Sequence, residues 1–489
     1  MSSQPTTGSR LRLLLKHGII FGLTSSLQSA LSFILLPLYT NYLSLSEFGN
    51  YNMLLVWAGA LNTLFGLGAS SALGRYYYEE KSAGNEKEVI SASLWISSLG
   101  ALLLISLSLM LAHPISTYYF HDEKMCLPII ICVIANALTY PTTTLTLLLR
   151  YKKQSLFYLV VTLISLLLNF GITITLLGKY NAGIISPFIG QMVTQVILFV
   201  ALYLHERKNI TFAFSKRHYS MIFFFGMQII VNAFLAYIYE CSDKMVMKEV
   251  LSIEDVGIYS LSNRIGSVFR ILIYMPFVLI WTPLRMEFKD THDNKKFVSK
   301  INNYYTIFGC LFIILCMVWG YDVLRVLFPK SEYSISLLLY PICLLANLFY
   351  GYQSIYDFGI YINNKLYYQS IICVITLFFN VGMNIMLLPE FGVSVSAYIY
   401  LATYILTAML LYIVSNRFYP ISLEWVKMSF SFLLTIGIYV LFFQANTLLT
   451  HNAMFKTLIT LFVFCFCWRV LFSNGERAHI LNSLKNKWK

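Results

Sequence analysis

Fourteen stretches of about 20 mostly apolar residues follow one another through the 489-residue chain with little between them. They lie near 17–39, 49–73, 89–112, 128–149, 156–177, 184–204, 220–239, 256–283, 301–327, 335–362, 366–388, 392–414, 428–446 and 453–472. An α-helix needs about 20 residues to cross the roughly 30 Å of bilayer hydrocarbon, so each stretch has spanning length. Backbone in hydrocarbon must satisfy its own hydrogen bonds, and runs this long do so as helices. Barrel strands would be about ten residues long with alternating polarity. The expected fold is an all-α integral membrane protein with about 14 transmembrane helices. The composition agrees: 58% of residues are hydrophobic and 12% charged, against about 45–50% and about 25% in soluble domains. A soluble nuclease, kinase or Rossmann enzyme is excluded, and no GxxxxGK[ST] phosphate cradle is present to support ATP hydrolysis.

The basic residues then orient the chain. With the N-terminus cytoplasmic, 25 Lys and Arg fall in inside segments and 7 in outside loops, while Arg264, Arg270 and Arg469 lie within helices. This asymmetry predicts that both termini are cytoplasmic. It also accounts for the net charge of +13, which is assigned to topology and anionic lipid and not to nucleic acid. The opening MSSQPTTGSRLRLLLKHG has no cleavage-site pattern, so the first helix is expected to be retained. The nine Cys include no CxxC pair and lie mostly within helices, as small buried hydrophobes would. His17 and the triplet His121-Asp122-Glu123 sit at expected interfaces and make no metal site.

An internal repeat organises the helices. Leu43-Ser-Leu-Ser-Glu-Phe-Gly-Asn-Tyr51 recurs 208 residues later as Leu251-Ser-Ile-Glu-Asp-Val-Gly-Ile-Tyr259. Asn169, Gly171, Leu176, Leu177 and Tyr180 recur as Asn380, Gly382, Leu387, Leu388 and Phe391, at an offset of 211. The chain therefore divides into an N-lobe of six helices (1–205), a cytoplasmic linker (206–219), a C-lobe of six helices (220–415), and two added helices with a basic tail (416–489). Duplicated bundles in one orientation favour a cleft between lobes and transport by alternating access.

Three segments carry a family resemblance: the Leu-Ser-x-x-Glu-Phe-Gly-x-Tyr run, Gly68-Ala-Ser-Ser-Ala-Leu-Gly-Arg-Tyr-Tyr-Tyr-Glu79, and Asn380-Val-Gly-Met-Asn-Ile-Met-Leu-Leu-Pro-Glu-Phe-Gly392. In combination, order and spacing they resemble the polysaccharide branch of the multidrug/oligosaccharidyl-lipid/polysaccharide (MOP) exporter superfamily, the Wzx-type flippases, over about residues 10–415. The resemblance implies a MATE-like fold and transfer of undecaprenyl-diphosphate-linked oligosaccharide repeat units from the cytoplasmic to the periplasmic leaflet of the bacterial inner membrane. It implies no enzymatic activity. A polysaccharide polymerase and a chain-length regulator would be its partners, along with membrane lipid and the lipid-linked substrate.

Such a cargo carries two negative charges, many hydroxyls and a long apolar tail. For the diphosphate, the candidates are Arg264 and Arg270 in helix 8, with Arg270 roughly 21 Å from the outer end, too deep for snorkelling. A charge there costs about 2.5–3.5 kcal/mol on insertion scales, so it should face a polar interior. Six residues turn an α-helix by 240° net, so the two Arg cannot share a face unless the helix is unwound; one should face the cleft and the other a protein partner. Arg75, closing helix 2 beside Gly74, is the third candidate, and the resemblance favours it over simple lipid anchoring. Arg150 ends helix 4 in an ordinary positive-inside loop. Asp357 in helix 10 either pairs with a cation or binds a coupling H+ or Na+, and Glu240, Asp243 and Lys244 form a second charged cluster at the outer end of helix 7. No other cofactor is expected. For sugar hydroxyls the candidates are Gln191, Gln195, Gln228, Asn232 and Gln353, with Gln191 and Gln195 four residues apart on one face. Helix-to-helix bonding is the commoner use of such amides. A lipid II-type flippase is a second possibility, and a cation-coupled drug exporter of the superfamily would want an anionic lining. A membrane polymerase or ligase would want a long outer loop, whereas the longest here has roughly fifteen residues.

Overall fold

The computed structural model describes residue 28, residues 33–211, 215–287, 294–363, 365–444 and 452–466, and residue 469. Residues 33–42 are helical. They are followed by α1 (Leu45–Phe65), α2 (Ala69–Ser82), α3 (Glu86–Tyr118), α4 (Cys126–Ala137), α5 (Thr139–Tyr151), α6 (Ser155–Gly178), α7 (Ile185–Glu206) and α8 (Lys216–Val250). Next come α9 (Ile253–Gly266), a π-helical turn (Arg270–Tyr274), α10 (Met275–Glu287), α11 (Asn294–Leu327), α12 (Ser334–Tyr356) and α13 (Phe358–Ile362). The order closes with α14 (Tyr367–Phe391), α15 (Ser394–Asn416), α16 (Trp425–Tyr439) and α17 (Ala453–Phe466).

No strand occurs among the described residues. Eleven helical segments are long and apolar enough to cross a membrane, twelve if the bent pair α1–α2 is one span. These twelve coincide with the second to thirteenth stretches of the sequence. The first stretch lies largely outside the described residues, and the fourteenth is described only as α17, through Phe466.

The repeated motif is a repeated helix start. Ser44 Oγ accepts the Glu47 amide at 3.2 Å while Glu47 Oε2 accepts the Ser44 amide at 2.8 Å, a reciprocal capping box at the head of α1. Ser252 and Asp255 repeat it at the head of α9, at 3.2 and 3.3 Å. The glycine two residues after each acid allows backbone contact. A Cβ on Gly49 would lie 2.0 Å from the Ile253 carbonyl oxygen, and one on Gly257 would lie 3.0 Å from the Leu45 carbonyl oxygen. Overpacking against backbone costs about 1–3 kcal/mol. Gly49→Ala is therefore expected to lower the melting temperature of the purified protein, whereas Gly171→Ala, with nothing within 4 Å of its Cβ, leaves it unchanged or slightly raised. Equal melting of the two variants would contradict the contact.

The chain packs as two compact units, residues 1–257 and 258–489. In the first, α8 packs on α1, α2 and α3. The span break between α1 and α2 bends by 40° at Gly66-Leu67-Gly68, where Leu67 and Gly68 have φ of +50° and +59°. Gly226 of α8 approaches this break so closely that a Cβ on it would lie 2.1 Å from the Leu67 carbonyl oxygen. Tyr237 donates to the Val56 carbonyl at 2.9 Å, and Lys248 Nζ donates to the Tyr119 carbonyl at 2.6 Å while lying 3.8 Å from the centre of that tyrosine's ring. The duplication places this helix, the seventh of the sequence, at the start of the second lobe, but these contacts pack it with the first unit. Sequence ancestry and packing thus draw different boundaries. In the second unit α12 is the central helix. It packs on α11 and α15, and most of its residues are buried.

Candidate functional site

In the second unit the residues around Arg270 form a polar site within a candidate membrane span. The 240° separation expected of Arg264 and Arg270 assumed an uninterrupted α-helix, and the chain does not supply one. α9 ends at Gly266, where a Cβ would lie 2.4 Å from Cys343 Cβ. Arg270–Tyr274 then form a single π turn before α10 begins. Such turns insert an extra residue, re-aim side chains and are frequent at functional sites.

Arg270 is held by neutral groups from two other helices. Its Nε donates to Asn347 Oδ1 of α12, and its Nη2 donates to the hydroxyls of Tyr400 at 2.9 Å and Tyr404 at 3.0 Å on α15. The guanidinium carbon lies 3.9 Å from the centre of the Tyr350 ring, a cation–π contact. Asn347 is fully buried, and its amide nitrogen donates to the Cys343 carbonyl at 2.7 Å, which orients Oδ1 toward the arginine. Arg270 is half-buried as a residue, and these contacts fix the orientation of its guanidinium. Arg264 is also half-buried, and its carbonyl accepts the Ser267 hydroxyl at 2.7 Å.

Asp357 sits at the joint between α12 and α13. Its Oδ1 accepts from Arg285 Nη1 at 3.3 Å and its Oδ2 from Gln369 Nε2 at 2.9 Å, while Arg285 stacks 4.0 Å from the centre of the Tyr361 ring. Of the two roles that sequence left open, the geometry is that of an ion pair with both oxygens occupied. Arg285 and Asp357 stand 72 positions apart, a pairing with no local sequence signal. Gln353 is half-buried, and its Nε2 has no hydrogen-bond partner among the described residues.

The first unit disperses its candidates. Arg75 is exposed on α2 and pairs with Glu79 one turn on, at 3.5 Å. Gln228 and Asn232 are on exposed positions of α8, and Glu240 is exposed farther along it. Asp243 is buried and accepts the Lys244 amide at 2.7 Å, so this cluster is partly buried. Gln191 and Gln195 are half-buried on α7, and Gln195 lines a polar cavity together with Arg150.

Among the described residues, two buried glutamates escaped the sequence reading. Glu80, 6% exposed, accepts from His218 Nε2 at 3.2 Å and Arg217 Nη2 at 3.3 Å, tying α2 to the start of α8. Glu206, 1% exposed, pairs with Lys152 and accepts Asn209 Nδ2 at 2.8 Å. They and their partners looked like ordinary inside-loop charges, because burial depends on which helices meet at the membrane surface.

The model of the family described as "Polysaccharide biosynthesis protein" matches residues 14–289. The chain belongs to this family. As a member of it, the chain is a multi-pass membrane protein whose fold also has solved relatives. The structure titled "Lipid II flippase MurJ, inward closed conformation" superposes with a TM-score of 0.72 at 17% identity, covering 92% of this chain and 97% of that one. An inward-facing multidrug-resistance MATE family transporter of the MOP superfamily gives 0.64 at 9% identity, over 82% and 94%. A MOP superfamily transporter from Pyrococcus furiosus, titled for the reverse polarity of its binding pocket, gives 0.59 at 12% identity, over 89% and 99%. These likenesses establish a MATE/MurJ-like transporter fold. No curated protein sequence matches the chain.

Proposed function

We propose that this polysaccharide-family protein is a non-enzymatic flippase. It carries isoprenoid-diphosphate-linked oligosaccharide from the cytoplasmic to the periplasmic leaflet of the bacterial inner membrane by alternating access, with both termini cytoplasmic. The observation that carries the reading is Arg270, a cation within a membrane span oriented by Asn347, Tyr400 and Tyr404 and stacked on Tyr350. A charge at such depth is expensive and therefore marks substrate or ion pathways. Its Nε and Nη2 donors are held by Asn347 and the two tyrosines, and the permanent charge of the guanidinium is what would attract the diphosphate. A drug exporter of organic cations would want the opposite sign of charge there.

The membrane potential supplies a driving force without any coupling ion. Two negative charges moved outward across an inside-negative membrane gain about 2.3 kcal/mol each per 100 mV, or about 4.6 kcal/mol together. The experiment reconstitutes the protein in liposomes carrying labelled undecaprenyl-diphosphate oligosaccharide and follows accessibility of the sugar to a lectin or glycosidase outside. Transfer that requires the protein and rises with an imposed potential of the stated sign is expected. Leaflet distributions identical to those of empty liposomes would overturn the proposal.

A further inference from the structure

The first unit has an open-sided cavity of about 320 Å³ walled by α5, α6 and α7, with Gln28 also on its lining. The volume lies in the roughly 300–1,000 Å³ range of small-molecule sites, and the wall is unusual for the interior of an apolar bundle. It carries hydroxyls from Thr142, Thr146, Thr162, Ser165 and Thr194, amides from Asn169 and Gln195, and the Arg150 side chain, with no carboxylate among its described residues.

Polar residues inside membrane bundles ordinarily bond one helix to another, and the hydroxyls on this wall do something else. Thr142 donates to the Leu138 carbonyl at 2.7 Å, Thr146 to Thr142 at 2.7 Å and Ser165 to Val161 at 2.8 Å. Each bond returns to a carbonyl one turn earlier in the same helix, which satisfies the hydroxyl proton and leaves the oxygen lone pairs toward other partners. Thr194 Oγ1 and Gln195 Oε1 are buried with no hydrogen-bond partner among the described residues. Arg150, whose guanidinium lies 4.8 Å from the centre of the Tyr158 ring, places a positive charge on the wall. That charge disfavours a bound metal or ammonium cation.

We infer that this first-unit cavity is a sugar-binding subsite that takes one pyranose ring, neutral or acidic, through the hydroxyl and amide groups of α5, α6 and α7. The inference rests on the reading above that the cargo is glycosylated. Amide and hydroxyl groups that both donate and accept match sugar hydroxyls, which do the same, and Arg150 extends the match to a sugar carboxylate.

The test uses saturation-transfer NMR on the full-length purified protein with free glucose, galactose, mannose, N-acetylglucosamine and glucuronate as probes. At least one sugar is expected to receive saturation from the wild-type protein. The transfer should fall about tenfold in Thr194→Val/Gln195→Leu, since two neutral hydrogen bonds lost amount to roughly that factor. Thermal unfolding of the double variant verifies that it is folded, and Ser165→Ala serves as a milder second variant with a several-fold loss expected. No transfer to any of the five sugars, transfer unchanged in both variants, or displacement of the sugar by Na+ but not by choline would each overturn the inference. The liposome assay separates the two readings. Translocation without sugar transfer defeats the subsite alone, and sugar transfer lost in the variants of a protein that moves no lipid-linked glycan defeats the flippase reading alone.

Discussion

Arg270→Ala is expected to slow translocation of a diphosphate-linked glycolipid about a hundredfold. A charge-assisted hydrogen bond is worth about 1.5–3 kcal/mol, and about 1.4 kcal/mol is a factor of ten, so loss of one strong charge-assisted phosphate contact is enough. Arg270→Lys keeps the charge but loses the planar fork that meets Asn347, Tyr400 and Tyr404 together, and a loss of about tenfold is expected. The Ala variant also leaves the Asn347 carbonyl oxygen and two tyrosine hydroxyls without their donor, so its melting temperature should fall. Arg270→Gln fills more of the space and restores a donor, which separates loss of fold from loss of charge. A Gln variant that melts like the wild type and still translocates at the wild-type rate would remove Arg270 from the mechanism.

Breaking the Arg285–Asp357 pair should produce the largest loss of stability. Their side chains are 12% and 13% exposed, and removing one partner of a buried pair leaves an uncompensated charge that costs about 3–5 kcal/mol. Asp357→Ala and Arg285→Ala are each expected to lower the melting temperature by roughly 10 °C. The double substitution Asp357→Leu/Arg285→Met removes both charges and should recover most of that loss, as replacement of a buried pair by apolar groups commonly does. Translocation then decides the role of the carboxylate. A recovered double variant that transports at the wild-type rate assigns the pair to structure. One that is stable but no longer responds to an imposed pH or Na+ gradient assigns Asp357 to ion coupling.

Much of the architecture was legible because hydrocarbon leaves a helix so few options. Twelve apolar stretches became twelve spans, and the Leu-Ser-x-x-acid-x-Gly-x-Tyr repeat became two capping boxes whose glycines permit backbone contact. Arg270 was singled out by depth alone, and Gln195 by its place on a polar helix face. Their surroundings were not legible. Asn347, Tyr400 and Tyr404 stand 77, 130 and 134 positions from Arg270, and in sequence the two tyrosines are ordinary residues of an apolar helix. The polar cavity drew on threonines and serines that each read as tolerable in a membrane helix. The close approach of Gly266 to Cys343 at the end of α9 is likewise announced by no periodicity.

Local chemistry, then, determined which segments enter the bilayer, where their helices begin and which few charges are too deep to be idle. Those consequences follow from chain length, hydrogen-bond satisfaction and the cost of desolvation, all of which act on neighbours in sequence. Which charge pairs with Asp357, which rings hold Arg270 and which hydroxyls share a cavity were decided by tertiary packing alone. Those partners converge only after separate helices have buried their faces against one another, and helix packing is set by side-chain shape over many residues, not by any spacing that a single stretch can display.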